Sequence, residues 1–263
     1  MDRITSRQNP VVTEFRDAAR GDIEGVMLLD GEHLIQEALA SGIPLRIVAT
    51  AERSAGGALV QQVERAGVRV VVVTEPVLSA ISPVQSPSGM VALATRPGGR
   101  LEDVLSRKPQ LVVMLHDVQD PGNVGAIARA AEACGATGLI CSERTADPFG
   151  WKALRGAMGS TLRLPTAARQ SLRAAIAGAR AAGLRVCATD ARGGVMLPAC
   201  DLRKPAAIIL GSEGAGLPAD LIEAADIRVT IPMQPPVESL NVAVAAALVL
   251  YEAARQRAAS GVP

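Results

Sequence analysis

Three short segments carry side chains that chemistry needs more than folding does. The first, HDVQDPGNVGAIARAAEACG, runs from His116 to Gly135 and holds Asn123 and Arg129. A guanidinium presents a planar fork of N–H donors that suits a phosphate and steadies developing negative charge. The second, IILGSEGAGLP from Ile208 to Pro218, sets Glu213 among Gly211, Gly214 and Gly216. Glycines after a strand leave backbone amides open to a ligand, and a carboxylate among them is more than an ordinary turn requires. The third, IPMQPPVESLNVAVAAALVLYEAARQR from Ile231 to Arg257, holds Ser239 and Asn241 behind a loop stiffened by Pro232, Pro235 and Pro236.

Each segment also has a plainer reading. Asp120-Pro121-Gly122 makes a tight turn, and Asn123 is placed to cap the helix after it. Ser239 or Asn241 can cap the last helix in the same way. Arg129 lies on an outward face beside the small Gly125 and Ala126, where a second molecule or subunit can come close. Neither glycine-bearing loop has the G-x-G-x-x-G spacing of a dinucleotide site, which argues against an NAD-dependent enzyme. His33 and His116 are the only histidines, and Cys134, Cys141, Cys187 and Cys200 form no CxxC pair. No metal site or disulfide framework is expected, and the cysteines read as core residues of a reduced, cytoplasmic protein.

The elements that position these segments alternate. VMLLDG (Val26 to Gly31), LRIVAT, VRVVVVT and GMVALAT (Gly89 to Thr95) read as strands, with helices over EHLIQEALASG and Leu59 to Ala66. After the break RPGGR (Arg96 to Arg100) the pattern restarts with LVVML from Leu111, a helix from Val124 to Cys134, and strand TGLIC. A helix from about Ser171 to Ala182, strands LRVCAT, AAIIL and RVTI, and a helix from about Ser239 to Arg257 complete the chain. Val124, Ile127, Ala131 and Cys134 form the sheet-facing stripe of one helix, and Val244, Leu248 and Tyr251 the expected buried face of the last. The fold class is α/β. Residues 1–97 form one domain, 98–110 a linker, and 111–263 a second domain.

With 49% hydrophobic and 20% charged residues the chain can fill a core, and disorder is excluded. The net charge of +1 does not by itself announce a nucleic-acid partner. The start lacks an apolar leader, and runs such as Val242 to Tyr251 fall short of the ~20 residues that cross a bilayer, so no membrane association is expected.

Taken together and in order, DPGNVGAIARAAEACGA, GSEGAGL and IPM…ESLNVAVAAALVLYEA resemble the SpoU-type RNA ribose methyltransferases of the trefoil-knot superfamily. The likeness covers the second half from about Leu111. The first half is similar to the family's smaller RNA-binding domain, of the kind seen in ribosomal protein L30e, with SPSGMVALA typical of the junction.

The resemblance implies a mostly parallel second sheet and a C-terminal knot from roughly Ala206 onward. It implies S-adenosylmethionine as methyl donor, held by backbone around Leu210, Gly211, Glu213, Ile231 and Leu240. It implies a homodimer whose active site is completed across the interface, with functional positions at Asn123, Arg129, Glu213, Ser239 and Asn241. The implied reaction is methylation of a ribose 2′-hydroxyl in RNA; the family acts on ribosomal or transfer RNA, and the two-domain layout favours ribosomal RNA, with transfer RNA the alternative. A guanidinium is a poor base at neutral pH, so Arg129 is expected to fix a phosphate and stabilise charge on the 2′-oxygen. Glu213 would hold Arg129 or the loop, or act as base. Only Phe15, Phe149, Trp151 and Tyr251 are aromatic, so RNA grip should rest on phosphate contacts and shape. From Arg144 to Arg185 there are eight positive residues and one acid. Lys152, Arg155 and Arg163 in this stretch are expected to line an RNA groove, while Trp151 either stacks a base or anchors the loop. The rival class is a non-catalytic RNA-binding protein that keeps the fold, against which the complete residue set speaks.

Overall fold

The computed structural model describes residues 1–106, 108 and 111–260, so residues 107, 109 and 110 of the expected linker lie outside the described residues. The chain divides into two compact units, one of Met1–Pro97 with Phe149–Arg163 and one of Gly98–Pro148 with Leu164–Pro263.

The first unit contains β1 (Asp2–Ile4), α1 (Pro10–Arg20), β2 (Val26–Asp30), α2 (Glu32–Ala40), β3 (Leu45–Ala51), α3 (Ala58–Arg65), β4 (Arg69–Val73), α4 (Glu75–Ile81) and β5 (Met90–Thr95). The sheet order is β1-β4-β3-β5-β2, with β5 antiparallel to both neighbours. Alternate residues serve opposite faces. Met27, Leu29, Val48 and Ala92 pack with residues of α2 and α3, while Leu28, Ala49, Val71 and Leu93 pack with residues of α1 and α4. The four expected strands are present. Helix α1 adds an element the hydrophobic pattern did not suggest, although its start is chemically marked. Asn9 caps it, accepting from the Val11 N–H at 2.9 Å, and Pro10 is its first residue.

The second unit opens with α5 (Leu101–Ser106), a helix inside the expected linker, whose Val104 is wholly buried against residues such as Ile140 and Leu172. It continues through β6 (Leu111–Leu115), α6 (Pro121–Ala133) and β7 (Gly138–Ser142). The chain then forms α7 (Trp151–Ala157) and α8 (Ser160–Arg163), which belong to the first unit. It returns with β8 (Thr166–Gln170), α9 (Leu172–Ala181), β9 (Arg185–Thr189), β10 (Val195–Met196), β11 (Ala206–Leu210), α10 (Ala219–Glu223), β12 (Ile227–Thr230) and α11 (Val242–Ala259). These seven strands form one sheet in the order β10-β12-β9-β11-β6-β7-β8, with every pairing parallel. LVVML and AAIIL are buried along their whole length, as strands covered on both faces must be.

Two local expectations are corrected. Asp120, not Asn123, caps α6: its carboxylate accepts from the Gly122 and Asn123 N–H groups at 2.6 and 3.2 Å. Pro121 and Gly122 therefore form the first helical turn rather than a turn before it, which frees the Asn123 side chain. On α11 the buried face is Val242, Ala246, Val249, Leu250, Ala253 and Arg257, whereas Val244, Leu248 and Tyr251 are 49%, 42% and 66% exposed. This helix is apolar on both faces, so periodicity could not choose between them. Its rotation is set by polar anchors. Buried Arg257 donates from Nε to the Leu202 carbonyl and from Nη2 to that of Lys204, both at 2.9 Å. The Gln256 amide accepts from the Leu202 N–H and donates to the Cys200 carbonyl.

Candidate active site

Strand order in the second sheet reverses at β6, whose two neighbours are β11 and β7. In open parallel sheets such a switch point opens a crevice beyond the carboxyl ends of the strands. Here it lies between the loops leaving β6 and β11, which carry Asn123 and Glu213.

The β11 loop is a tight hairpin-like turn in which Ser212 and Gly216 exchange backbone hydrogen bonds at 3.1 and 3.2 Å. A Cβ at Gly211 would collide with the backbone of Gly216 and Leu217, so this close return needs glycine. The turn carries Glu213 to the β6 loop. Its Oε1 accepts from Asn123 Nδ2 at 2.9 Å and from the Asp120 N–H at 3.4 Å, and its Oε2 accepts from the Gln119 N–H at 3.3 Å. Asn123 Oδ1 in turn accepts from Asn241 Nδ2 at 3.1 Å. Asn241 is itself the cap of α11, with Oδ1 accepting from the Ala243 and Val244 N–H groups. Three loops are thus joined by one hydrogen-bond relay, Asn241 to Asn123 to Glu213. Burial pushes the Glu213 carboxyl up, but the Asn123 amide and the surrounding backbone N–H groups outweigh it, leaving the pKa below the ordinary carboxylate value.

Beside the relay is a cavity of about 280 Å³ whose lining includes Leu210, Gly211, Glu213, Ile231, Ser239 and Leu240. Leu217, Val229, Met233 and Val242 add apolar wall, and Thr189, Asp190 and Arg192 close one side. An apolar slot edged by a few polar groups and open backbone suits a small flat heterocycle with a polar tail. Thr189 to Arg192 were missed in the sequence. They follow β9, and the rule that ligands sit beyond strand carboxyl ends would have flagged them. Gln119 was missed too, because its contribution to Glu213 is a backbone amide.

Arg129 is not brought to the relay. It lies exposed on α6, six residues beyond Asn123 and so about 240° around the helix. Within the chain, no hydrogen bond or ion pair among the described residues engages it. Lys152, Arg155 and Arg163 belong to the first unit. Arg155 Nη1 is 3.8 Å from Asp30 Oδ1, and Arg163 pairs with Glu37. Phe149, Leu154 and Leu162 join one apolar layer of that unit and Trp151 packs against the other, with the Lys152 ammonium 5.4 Å from the Trp151 ring centre. Among the described residues no three His, Cys, Asp or Glu side chains gather as a metal site, and no helix is long and apolar enough to cross a membrane.

The sequence profile described as the SpoU rRNA Methylase family matches residues 110–251, and that of an MRM3-like substrate binding domain matches residues 16–92. The chain is 35% identical to an uncharacterized tRNA/rRNA methyltransferase of Synechocystis, covering 99% of this chain and 96% of that one. It is 34% identical to the 23S rRNA (guanosine(2553)-2′-O)-methyltransferase RlmP of Bacillus subtilis, covering 85% and 86%. The AdoMet-bound rRNA methyltransferase of Sinorhizobium meliloti superposes with a TM-score of 0.87 at 31% identity, covering 97% of each chain.

Proposed function

The chain belongs to the SpoU rRNA methylase family, and on that footing we propose that it uses S-adenosylmethionine to methylate a ribose 2′-hydroxyl of RNA, with ribosomal RNA as substrate. The observation that carries this reading is the Asn241–Asn123–Glu213 relay at the rim of a cavity lined by Leu210, Gly211, Glu213, Ile231 and Leu240. The cavity fits the donor: apolar walls suit an adenine ring, and the backbone after β11 offers polar groups at its edge. When bound, the donor supplies a methyl group on a positively charged sulfur, which an oxygen nucleophile can displace.

The chain's own residues hold and orient. Glu213 accepts from Asn123, Gln119 and Asp120 and has a depressed pKa, which favours the role of loop clamp over that of proton acceptor. Asn123, locked between Glu213 and Asn241, positions the substrate together with Ser239. Arg129 fixes phosphate and steadies negative charge on the 2′-oxygen, reaching the site of a second subunit. The homodimer this requires is supported by the exposed Val244, Leu248 and Tyr251 stripe on α11, an apolar face in need of a partner. Residues 1–97 serve as the RNA-holding domain, and Lys152, Arg155 and Arg163 contribute charge to it. Residues from Ala206 onward form the family's knot, and the enzyme acts in the cytoplasm.

Methyl transfer from labelled donor to unmodified 23S rRNA and transfer RNA transcripts tests the reading. Label in an alkali-resistant dinucleotide of the ribosomal transcript is the expected result. Label in transfer RNA alone reassigns the substrate, and no donor binding by calorimetry overturns the proposal.

A further inference from the structure

A second polar network lies one residue from the relay, at the carboxyl ends of β6 and β7, and its parts all belong to the second unit. Asp117 has a left-handed backbone, φ +54°, a conformation that costs energy outside glycine and that asparagine and aspartate tolerate best. Its side chain is 16% exposed and thoroughly held. Ser142 Oγ donates to Asp117 Oδ1 at 2.8 Å, and the Asp117 N–H donates to Ser142 Oγ at 2.9 Å. Ser142 Oγ lies 2.9 Å from Thr145 Oγ1, which donates to the Leu115 carbonyl. The remaining carboxylate oxygen, Oδ2, stands 3.4 Å from Arg144 Nε.

Arg144 is the exposed end of this construction, with 81% of its side chain open. Its backbone is pinned, since Gln119 Nε2 donates to the Arg144 carbonyl at 2.6 Å and to the Asp117 carbonyl at 3.2 Å. Gln119 is also the residue whose backbone N–H reaches Glu213. Two hydrogen bonds therefore separate the Arg144 backbone from the relay. No hydrogen bond among the described residues uses the terminal Nη groups of Arg144. A lone surface arginine is mobile and loses that freedom on binding. This one has the Asp117 carboxylate beside its Nε as an ion-pair partner, which biases its direction and leaves the terminal fork for a ligand.

We infer that Arg144 grips a backbone phosphate of the RNA next to the target nucleotide, and that Asp117 is the positioning residue that aims it. The inference rests on the proposed RNA methylation and deepens it. A fork matches two phosphate oxygens, and a phosphate contact sets register and affinity without setting sequence.

The test uses the full-length protein and an unmodified 23S rRNA transcript, with Arg144→Ala, Arg144→Lys and Asp117→Asn. Arg144→Ala should weaken RNA binding roughly tenfold at moderate salt and raise KM for RNA in proportion, leaving kcat at saturating RNA and donor affinity unchanged. The slope of log affinity against log salt should fall by about one phosphate equivalent. Arg144→Lys, which keeps charge and loses the fork, should recover the slope and only part of the affinity. Asp117→Asn keeps its Ser142 bond and tolerates the same backbone, and should raise KM with little change in slope. An unchanged slope and affinity in Arg144→Ala overturns the inference, as does a loss confined to kcat. The slope decides this even if the transcript is not methylated, whereas failure of wild-type transfer to any RNA would count against the function itself.

Discussion

Asn123 Nδ2 stands 2.9 Å from Glu213 Oε1 although 90 residues separate them in the chain. The contact closes the switch-point crevice, and its chemistry is asymmetric: an amide can give to Glu213 and receive from Asn241 simultaneously, and no carboxylate can. Asn123→Asp is nearly isosteric yet sets two carboxylates against each other. It should lower turnover by about 10²-fold or more and shift the pH-rate profile, as one of the pair takes up a proton. Steady-state kinetics across pH checks this; an unchanged profile would mean that the relay plays no part in turnover.

Glu213 offers a pH prediction of opposite character. Its folded pKa is below the ordinary 4.5, so the clamp's contribution to stability is complete above that ordinary value. It is lost only as pH falls through the lower, folded value. Between about pH 6 and 9 no Glu213 titration should show in kcat/KM. Glu213→Gln should therefore reduce the rate without moving either limb of the profile. A limb that disappears in this variant would restore Glu213 as the base.

Arg129→Ala should cost roughly 10² in kcat with donor affinity intact by calorimetry. Mixing it with Asn123→Ala protein should return part of the activity, because a mixed dimer holds one site with both residues if Arg129 acts across the interface. Mixtures no more active than their components would place Arg129 in the site of its own subunit.

Leu248→Glu puts a charge in the exposed stripe of α11, outside the buried face that packs the helix within the monomer. Sedimentation velocity should show a shift from dimer to monomer together with loss of methyl transfer. A variant that stays dimeric would move the interface elsewhere.

Arg257→Met should destabilise the second unit by about 2–3 kcal/mol, because the Leu202 and Lys204 carbonyls would lose buried donors. Thermal unfolding of the variant reads this directly, and a wild-type midpoint would show that α11 does not depend on the anchor.

Much of this architecture is legible in residue types. The apolar runs LVVML and AAIIL had to be buried strands, and three glycine- or proline-marked loops had to be special. Capping was harder to read, because Asp120 and Asn123 are equally able to accept from a helix N-terminus and only the backbone path chooses Asp120. The face of α11 was hidden for a different reason: Val244, Leu248 and Tyr251 have the spacing of a core stripe, and so do the residues that are buried. What turned the helix was Arg257, a charged residue in a position where burial is the exception. Burial of Phe149, Leu154 and Leu162 against a sheet more than fifty residues earlier in the chain is a purely tertiary fact.

That last packing has a consequence for how substrate choice can evolve. The first unit is stitched to the second at three places, after Pro97, after Pro148 and after Arg163. A recombination event that exchanged only the N-terminal segment for one of another specificity would strand Phe149, Leu154 and Leu162 without their apolar neighbours. On the proposed role of this unit in holding RNA, a graft that changes the target has to carry 149–163 along, because a one-junction swap leaves those apolar side chains uncovered.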